Sequence, residues 1–365
     1  MKIVDVTVRP LSVPLVEPFV IATATMTTTR AALVRVTCED GPFGLGEAAC
    51  LHPVTHEDQP DVVRLLREAA PTLRGKTISS PEDIPSLLDS LDASPVARGG
   101  MEMALLDALA RSRAVPLAEL FCEKGASCIH LVTDITIPIL PREEMQRLAR
   151  KWYARGFSIF KLKVGRDLDV DMGNLEAIAS EIPGASYRVD ANGGYTSEQA
   201  IVFAERCRKM GLRVECFEQP CAREDLHGQK RVKEGVTIPV IADESVRSLA
   251  DLETLVAAGA TDGVNLKIVK VGGIARAIQI GRRAKELGLR VMVGGMVETR
   301  VGMTAGAHVA AALGGVDFVD LDTAFLLASD PFVGGYRADG PKMQLYGEGL
   351  GVFEAGVVPG AAADQ

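Results

Sequence analysis

Ile159-Phe160-Lys161-Leu162-Lys163-Val164 alternates apolar and basic residues over one short segment. In a strand, successive side chains point to opposite faces, so Lys161 and Lys163 share one face while Phe160, Leu162 and Val164 share the other. If the apolar face meets helices, both lysines point into an interior. Short apolar segments of this kind recur near 131–138, 158–164, 186–191, 213–218, 238–242, 262–268, 290–294 and 316–321. Helical patterns fill the gaps, and several stop at a glycine suited to the left-handed cap: Gly156, Gly211, Gly259, Gly288 and Gly314. Ser197-Glu198-Gln199 and Ser248 to Asp251 read as helix starts. Eight strands alternating with helices predict an α/β fold, a parallel (β/α) barrel, with a doubly wound open sheet as the competing arrangement.

Upstream, residues 1–125 have a different rhythm and read as an α+β capping domain. Ile3 to Val13, Ala31 to Cys38 and Phe43 to Ala48 alternate as strands, with a turn at Glu39-Asp40-Gly41, and predict a three-stranded meander. Helices are expected near 58–74, 81–92 and 96–114. The barrel is expected over 126–329. The Gly- and Pro-rich segment 330–365 shows no helical period and is expected to return to the capping domain.

The bulk properties exclude several functions. With 40 basic and 48 acidic residues, a net charge of −8 and no basic tract, nucleic acid is not the expected partner. No apolar run approaches the roughly 20 residues that span a bilayer, and the N-terminus lacks a signal peptide's apolar stretch, so a cytoplasmic protein is expected. Seven scattered cysteines without a C-x-x-C pattern read as buried thiols, neither a zinc site nor a disulfide framework.

Parallel barrels place their chemistry at the C-terminal ends of the strands. Nearly every predicted strand ends in an ionisable group: Lys161 and Lys163, then Asp190 with Asn192, Glu218, Asp243-Glu244, Lys267, Glu298, and Asp320 with Asp322. From Lys163, successive members follow after 27, 28, 25 and 24 residues, about one strand-helix unit each, so they converge on one mouth. Asp190, Glu218 and Asp243 would repel one another there unless a hard divalent cation joined them. With no His or Cys among them, Mg²⁺ fits better than zinc. Lys163 and Lys267 lie four strands apart in an eight-strand ring and so face each other. One can remove a proton and the other deliver one to the opposite face of the same carbon. Burial, the cation and neighbouring Lys161 are expected to lower the amine pKa. Asn192 and Glu244 are expected to support the metal ligands.

At these residues the chain resembles the muconate-lactonising-enzyme subgroup of the enolase superfamily, over nearly its whole length. The matching motifs are Lys161-Leu162-Lys163, Asp190-Ala191-Asn192, Glu218-Gln219-Pro220, Asp243-Glu244-Ser245 and Lys267. Gly295-Met296-Val297-Glu298 and Asp320-Leu321-Asp322 resemble the dipeptide epimerases of that family. The resemblance implies a modified TIM barrel with a capping domain, one Mg²⁺ per subunit, a homo-oligomer, and isomerase activity. The reaction implied is epimerisation of a dipeptide at the α-carbon of its C-terminal residue, through an enediolate. It further implies that Asp320 and Asp322 hold the dipeptide α-ammonium, and that Thr136, Lys161 and Glu298 sit at the substrate.

In relatives that act on Ala-Glu, an arginine after the first strand meets the glutamate side chain. Here Glu17 to Thr29 contains no Lys or Arg. A buried carboxylate without a partner is costly. A neutral, apolar C-terminal side chain is expected instead, against Phe19, Val20, Ile21 and Met26.

The competing functions are an N-acylamino acid racemase, an o-succinylbenzoate synthase or, further off, a muconate cycloisomerase; paired aspartates suit none of them. A non-catalytic binding protein would be expected to have lost a lysine or a metal ligand, and none is missing. Lys270 is a rival to Lys267, but on the opposite strand parity. Asp167-Leu168-Asp169-Val170-Asp171 reads as a solvated turn and Gly272-Gly273 as a packing feature.

Overall fold

The computed structural model describes residues 1–122 and 130–356. The capping region contains β1 (Ile3–Leu11), β2 (Pro14–Val20), β3 (Thr25–Thr28), β4 (Ala31–Cys38), β5 (Phe43–Ala49), α1 (Gln59–Leu73) and α2 (Pro95–Ser112). β1, β4 and β5 form the antiparallel meander that the alternation predicts. The segment from Pro14 to Thr29 is a ribbon of β2 on β3, with Phe19 opposite Met26. The helix expected at 81–92 is two 3-10 segments, Pro81–Asp83 and Pro85–Leu91. Pro85 has no N–H to donate to the preceding turn, so one continuous α-helix cannot form.

Every residue of α2 from Val96 to Ala110 is buried. The helix lies against β5 at backbone distance: a Cβ on Gly46 would stand 2.0 Å from the Gly100 carbonyl oxygen. Only glycine permits that approach.

The second region starts with β6 (His130–Val132) and β7 (Ile135–Ile137). It then alternates: α3 (Arg142–Tyr153), β8 (Ile159–Lys163), α4 (Leu168–Glu181), β9 (Ser186–Asp190), α5 (Ser197–Lys209), β10 (Val214–Glu218), α6 (Leu226–Gly235) and β11 (Val240–Ala242). It continues with α7 (Leu249–Ala258), β12 (Gly263–Leu266), the short α8 (Ile268–Val271), α9 (Ile274–Glu286), β13 (Arg290–Gly294), α10 (Arg300–Ala312) and β14 (Phe318–Asp320). β7 to β14 form one parallel eight-stranded sheet in sequential order. A doubly wound sheet would reverse order at a switch point, so the barrel is the arrangement adopted.

The expected strand at 131–138 is broken at Thr133-Asp134. Before the break, β6 pairs with β17 (Lys342–Leu345) of the C-terminal segment; after it, β7 joins the barrel. No ladder joins β14 to β7 among the described residues. The seam is bridged by single contacts: Asp134 N donates to Val319 O at 3.2 Å, Leu321 N to Thr133 Oγ1 at 2.9 Å, and Thr136 N to Asp322 Oδ2.

Helix ends follow local chemistry. Thr196 and Gln199 form a reciprocal capping box on α5, and Ser248 caps α7. The five glycines expected to end helices have positive φ, from 66° at Gly259 to 86° at Gly156. Asp167-Leu168-Asp169-Val170-Asp171 is not a solvated turn. Asp167 caps α4, and buried Asp171 accepts from Gly165 N at 2.8 Å and Tyr195 OH at 2.6 Å. Gly273 is a packing feature, since a Cβ there would meet Glu102 Oε2 at 2.1 Å.

The C-terminal strands β15 (Phe332–Gly334), β16 (Tyr336–Asp339), β17 and β18 (Val352–Glu354) lead back to the capping strands. Arg9 pairs with Glu354 at 2.6 Å, and Arg111 donates to Val352 O at 2.7 Å. Cys38, Cys50, Cys207, Cys216 and Cys221 are buried thiols, while Cys128 lies outside the described residues. Among the described residues, no helix is long and apolar enough to cross a membrane.

Candidate active site

The barrel's strand ends bring the predicted residues together. On β8, Lys161 and Lys163 point inward and are 1% and 5% exposed. Lys163 Nζ lies 2.5 Å from Asp190 Oδ2 on β9. Lys161 Nζ sits deeper, 2.7 Å from Asp320 Oδ2, 2.7 Å from Glu218 Oε2 and 3.2 Å from Asp190 Oδ2. At the end of β11, Asp243 Oδ2 is 2.7 Å from Lys267 Nζ, which follows β12. Lys270 is not on a strand, so strand parity does not govern it. From α8 its Nζ reaches back to Asp243 Oδ1, Asp243 O and Asn265 O.

Backbone geometry helps set this arrangement. Asn192, two residues beyond β9, and Gln219, directly after β10, have positive φ of 43° and 35°. For non-glycine residues such conformations cost about 1–3 kcal/mol and gather at functional sites. Gln219 uses its side chain as a template. Its Oε1 accepts from Asp243 N at 2.9 Å and Ser245 N at 3.2 Å, and its Nε2 donates to Ser245 Oγ at 2.8 Å. Asn265 Nδ2 donates to Glu218 Oε1 at 2.8 Å. Asn192 donates to Glu244 Oε1 at 3.0 Å and, through its backbone N, to Asp190 Oδ1 at 2.9 Å.

Of these side chains, Lys163, Lys267, Asn192 and Asp320 border a space of about 380 Å³ that includes its open mouth, whereas Asp190, Glu218 and Asp243 do not line it. Lys163, Lys267, Asn192, Thr136, Asp320 and Asp322 give it polar groups. Phe19 and Ile21 line it from the β2–β3 region, as expected, whereas Val20 and Met26 do not. Leu51, Val54 and Met296 complete the apolar wall. Lys161 and Glu298, expected beside the substrate, do not line it. Glu298 is buried and accepts from Met296 N at 2.7 Å.

Burial works against charge throughout, and the neighbours decide the outcome. For Asp243, burial is outweighed by Lys267 and Lys270, which hold its carboxyl well below the usual range. Asp190 is likewise lowered against burial by Lys163 and Lys161. Burial and the Asp190 charge push Glu218 up to about 7. Burial and Asp320 push Asp322 up to about 7, while Lys161 and Lys163 keep Asp320 lowered against burial. The lowered amine expected at Lys267 is not what the protein groups produce: the pull of Asp243 outweighs burial and Lys161, and the pKa is raised.

Asp190, Glu218 and Asp243 each offer a carboxylate oxygen within 4.8 Å of the others, all buried. Lys161 touches Glu218 Oε2 without hydrogen-bond geometry, leaving that oxygen with no hydrogen-bonding partner. An all-oxygen, fully buried trio with an unused acceptor suits a hard divalent ion such as Mg²⁺. Asp134, Asp320 and Asp322 form a second acidic group of the same tightness across the barrel seam. Asp134 was not apparent from the sequence. It sits on no regular element and is held by Arg188 at 2.8 Å.

Residues 3–122 match the mandelate racemase/muconate lactonizing enzyme N-terminal domain, and residues 144–353 match the enolase C-terminal domain-like family. An L-Ala-D/L-amino acid epimerase of Populus trichocarpa is 40% identical over 91% of this chain and 80% of its own length. The substrate-liganded L-Ala-D/L-Glu epimerase of Bacillus subtilis superposes with a TM-score of 0.90 at 31% identity, over 97% of this chain and 99% of that one. The dipeptide epimerase of Enterococcus faecalis V583, complexed with Mg and L-Leu-L-Tyr, has a TM-score of 0.89 at 30% identity, covering 96% and 99%.

Proposed function

The chain belongs to the mandelate racemase/muconate lactonizing enzyme family of the enolase superfamily and is an isomerase of its dipeptide epimerase group, and on that premise we propose that it inverts the α-carbon of the C-terminal residue in L,L-dipeptides with neutral, apolar C-terminal side chains. One observation carries the mechanism: Lys163 and Lys267, from β8 and the end of β12, line a single cavity together with Asp320 and Asp322. The unprotonated amine of one lysine takes the α-proton, and the electron pair left behind delocalises into the substrate carboxylate. The ammonium of the other lysine returns a proton to the opposite face. The two lysines exchange roles in the reverse direction.

Asp190, Glu218 and Asp243 would hold Mg²⁺, which when bound supplies positive charge against the substrate carboxylate as the proton leaves. Asn192 orients Asp190 through its backbone N–H and Glu244 through its side chain. Gln219 and Lys270 fix Asp243. Asp320 and Asp322 receive the α-ammonium, a group that N-acylamino acids lack; this favours dipeptides over the racemase alternative. Thr136 N steadies Asp322. Lys161 neutralises Asp190, Glu218 and Asp320 from beneath.

For the C-terminal side chain, Phe19, Ile21, Leu51 and Val54 form an apolar wall. No Lys or Arg occurs from Glu17 to Thr29 to meet an acidic one. The test is an L,L-dipeptide library incubated in D₂O with Mg²⁺ and read by mass spectrometry. Deuterium is expected at the C-terminal α-carbon of apolar dipeptides; strong preference for Ala-Glu overturns the specificity, and no incorporation with any dipeptide overturns the activity.

A further inference from the structure

A second space of about 360 Å³, which includes its opening to solvent, adjoins the first. Phe19 and Thr136 line both, so the two spaces share a wall. The remaining lining is mostly apolar: Leu148 and Trp152 of α3, and Phe325 and Leu326 just beyond β14. Trp152 and Phe325 are in ring contact, with centroids 6.4 Å apart. Besides Thr136, two charged residues border the space and both have partners. Glu17 pairs with Arg147 at 2.5 Å, and Lys151 lies over the Trp152 ring at 4.8 Å.

Thr136 fixes how this space relates to the chemistry. Its backbone N–H is bound to Asp322, one of the two carboxylates that would hold the substrate ammonium. A substrate with its ammonium on that carboxylate would have its N-terminal α-carbon near the wall that the two cavities share. The second cavity would offer that carbon's side chain an apolar direction separate from the first cavity's wall. A basic side chain would find only Glu17, already paired with Arg147, and an acidic one only the Lys151 ammonium, already set over the Trp152 ring.

We propose that this second cavity is the subsite for the side chain of the dipeptide's N-terminal residue, and that it selects a bulky apolar one. The proposal rests on the dipeptide epimerase assignment. A methylene placed in a hydrophobic subsite changes selectivity about 10- to 200-fold, so the effect is measurable.

The chain contains a single tryptophan, Trp152, so its fluorescence reports on this cavity alone. Wild-type enzyme with Mg²⁺ would be titrated with Leu-X and Ala-X pairs sharing the same apolar X, and kcat/KM measured for each. Leu-X is expected to be preferred by at least 10-fold and to shift Trp152 emission, with no shift from Ala-X. Leu148→Phe, which fills the cavity, is expected to lower the Leu-X to Ala-X ratio at least 10-fold. Phe325→Ala, which enlarges it, is expected to raise the ratio of Phe-X to Leu-X. Exchange of both wild-type substrates without size preference or emission change overturns the subsite and leaves the epimerase assignment intact. So does a ratio that neither variant moves. Absence of deuterium exchange with every dipeptide overturns both.

Discussion

Removing either of the two cavity lysines should separate the two halves of the reaction. In Lys267→Ala, Asp243 keeps Lys270 on its Oδ1 and backbone oxygen; in Lys163→Ala, Asp190 keeps Lys161 at 3.2 Å. Neither change strands a buried carboxylate without a cation, so both variants are expected to fold. Loss of a positioned acid or base lowers rates about 10²- to 10⁴-fold, equivalent to roughly 2.7–5.4 kcal/mol on the barrier at 1.36 kcal/mol per decade. Epimerisation needs both faces and should fall by at least that factor in each variant. Solvent exchange needs only one. Given an apolar L,L-dipeptide and its L,D epimer separately in D₂O with Mg²⁺, each variant should wash deuterium into one epimer without inverting it. The two variants should choose opposite epimers. If both exchange the same epimer, or if either inverts substrate at the wild-type rate, the opposed-lysine arrangement is wrong.

Lys270→Met should weaken Mg²⁺ binding about 10- to 100-fold by calorimetry, as expected when a group orienting a metal ligand is lost, and destabilise the chain by roughly 3 kcal/mol; unchanged affinity would mean that Lys270 does not position Asp243. His308 is buried in α10, and burial lowers its pKa from 6.5 to about 3. The unfolded chain takes up a proton below pH 6.5 that the folded chain refuses. Its contribution is therefore neutral above about pH 7 and destabilising by about 2 kcal/mol at pH 5. His308→Gln should lose less stability than wild type between pH 7 and 5 in urea denaturation; parallel curves would contradict this. Gly46→Ala should lose stability at or above the upper end of the roughly 1–3 kcal/mol typical of overpacking, because its Cβ would enter the Gly100 carbonyl; an unchanged denaturation midpoint would count against the close β5–α2 contact.

The barrel was legible because its signals are periodic. Alternation in β8 fixed which face holds Lys161 and Lys163, and one ionisable group per strand-helix unit fixed the mouth. Residues whose role depends on distant partners were not legible. Gln219 acts through a backbone bend and a reach across to β11, and nothing in Glu218-Gln219-Pro220 shows that alone. Lys270 was read as a strand residue, but the strand ends at Leu266 and a helical turn swings its amine back onto Asp243. The strand read over 131–138 hid a change of partner at Thr133-Asp134, because Leu131-Val132 and Ile135 to Ile137 carry the same strand signal on either side and tertiary pairing separates them. Leu51 and Val54 reach the cavity from a segment with no period of either kind, so only their location in space identifies them.

The barrel seam has a consequence of its own. Seven of the eight strand junctions are zipped by backbone ladders; the eighth, between β14 and β7, is held by isolated rivets, one of them the Asp322 carboxylate. That carboxylate is also where a cationic ligand would settle, so the hoop is weakest where it would be gripped from inside. A dipeptide bound there acts as the missing stave. It should tighten amide exchange along β7 and β14 first, before the rest of the cylinder responds.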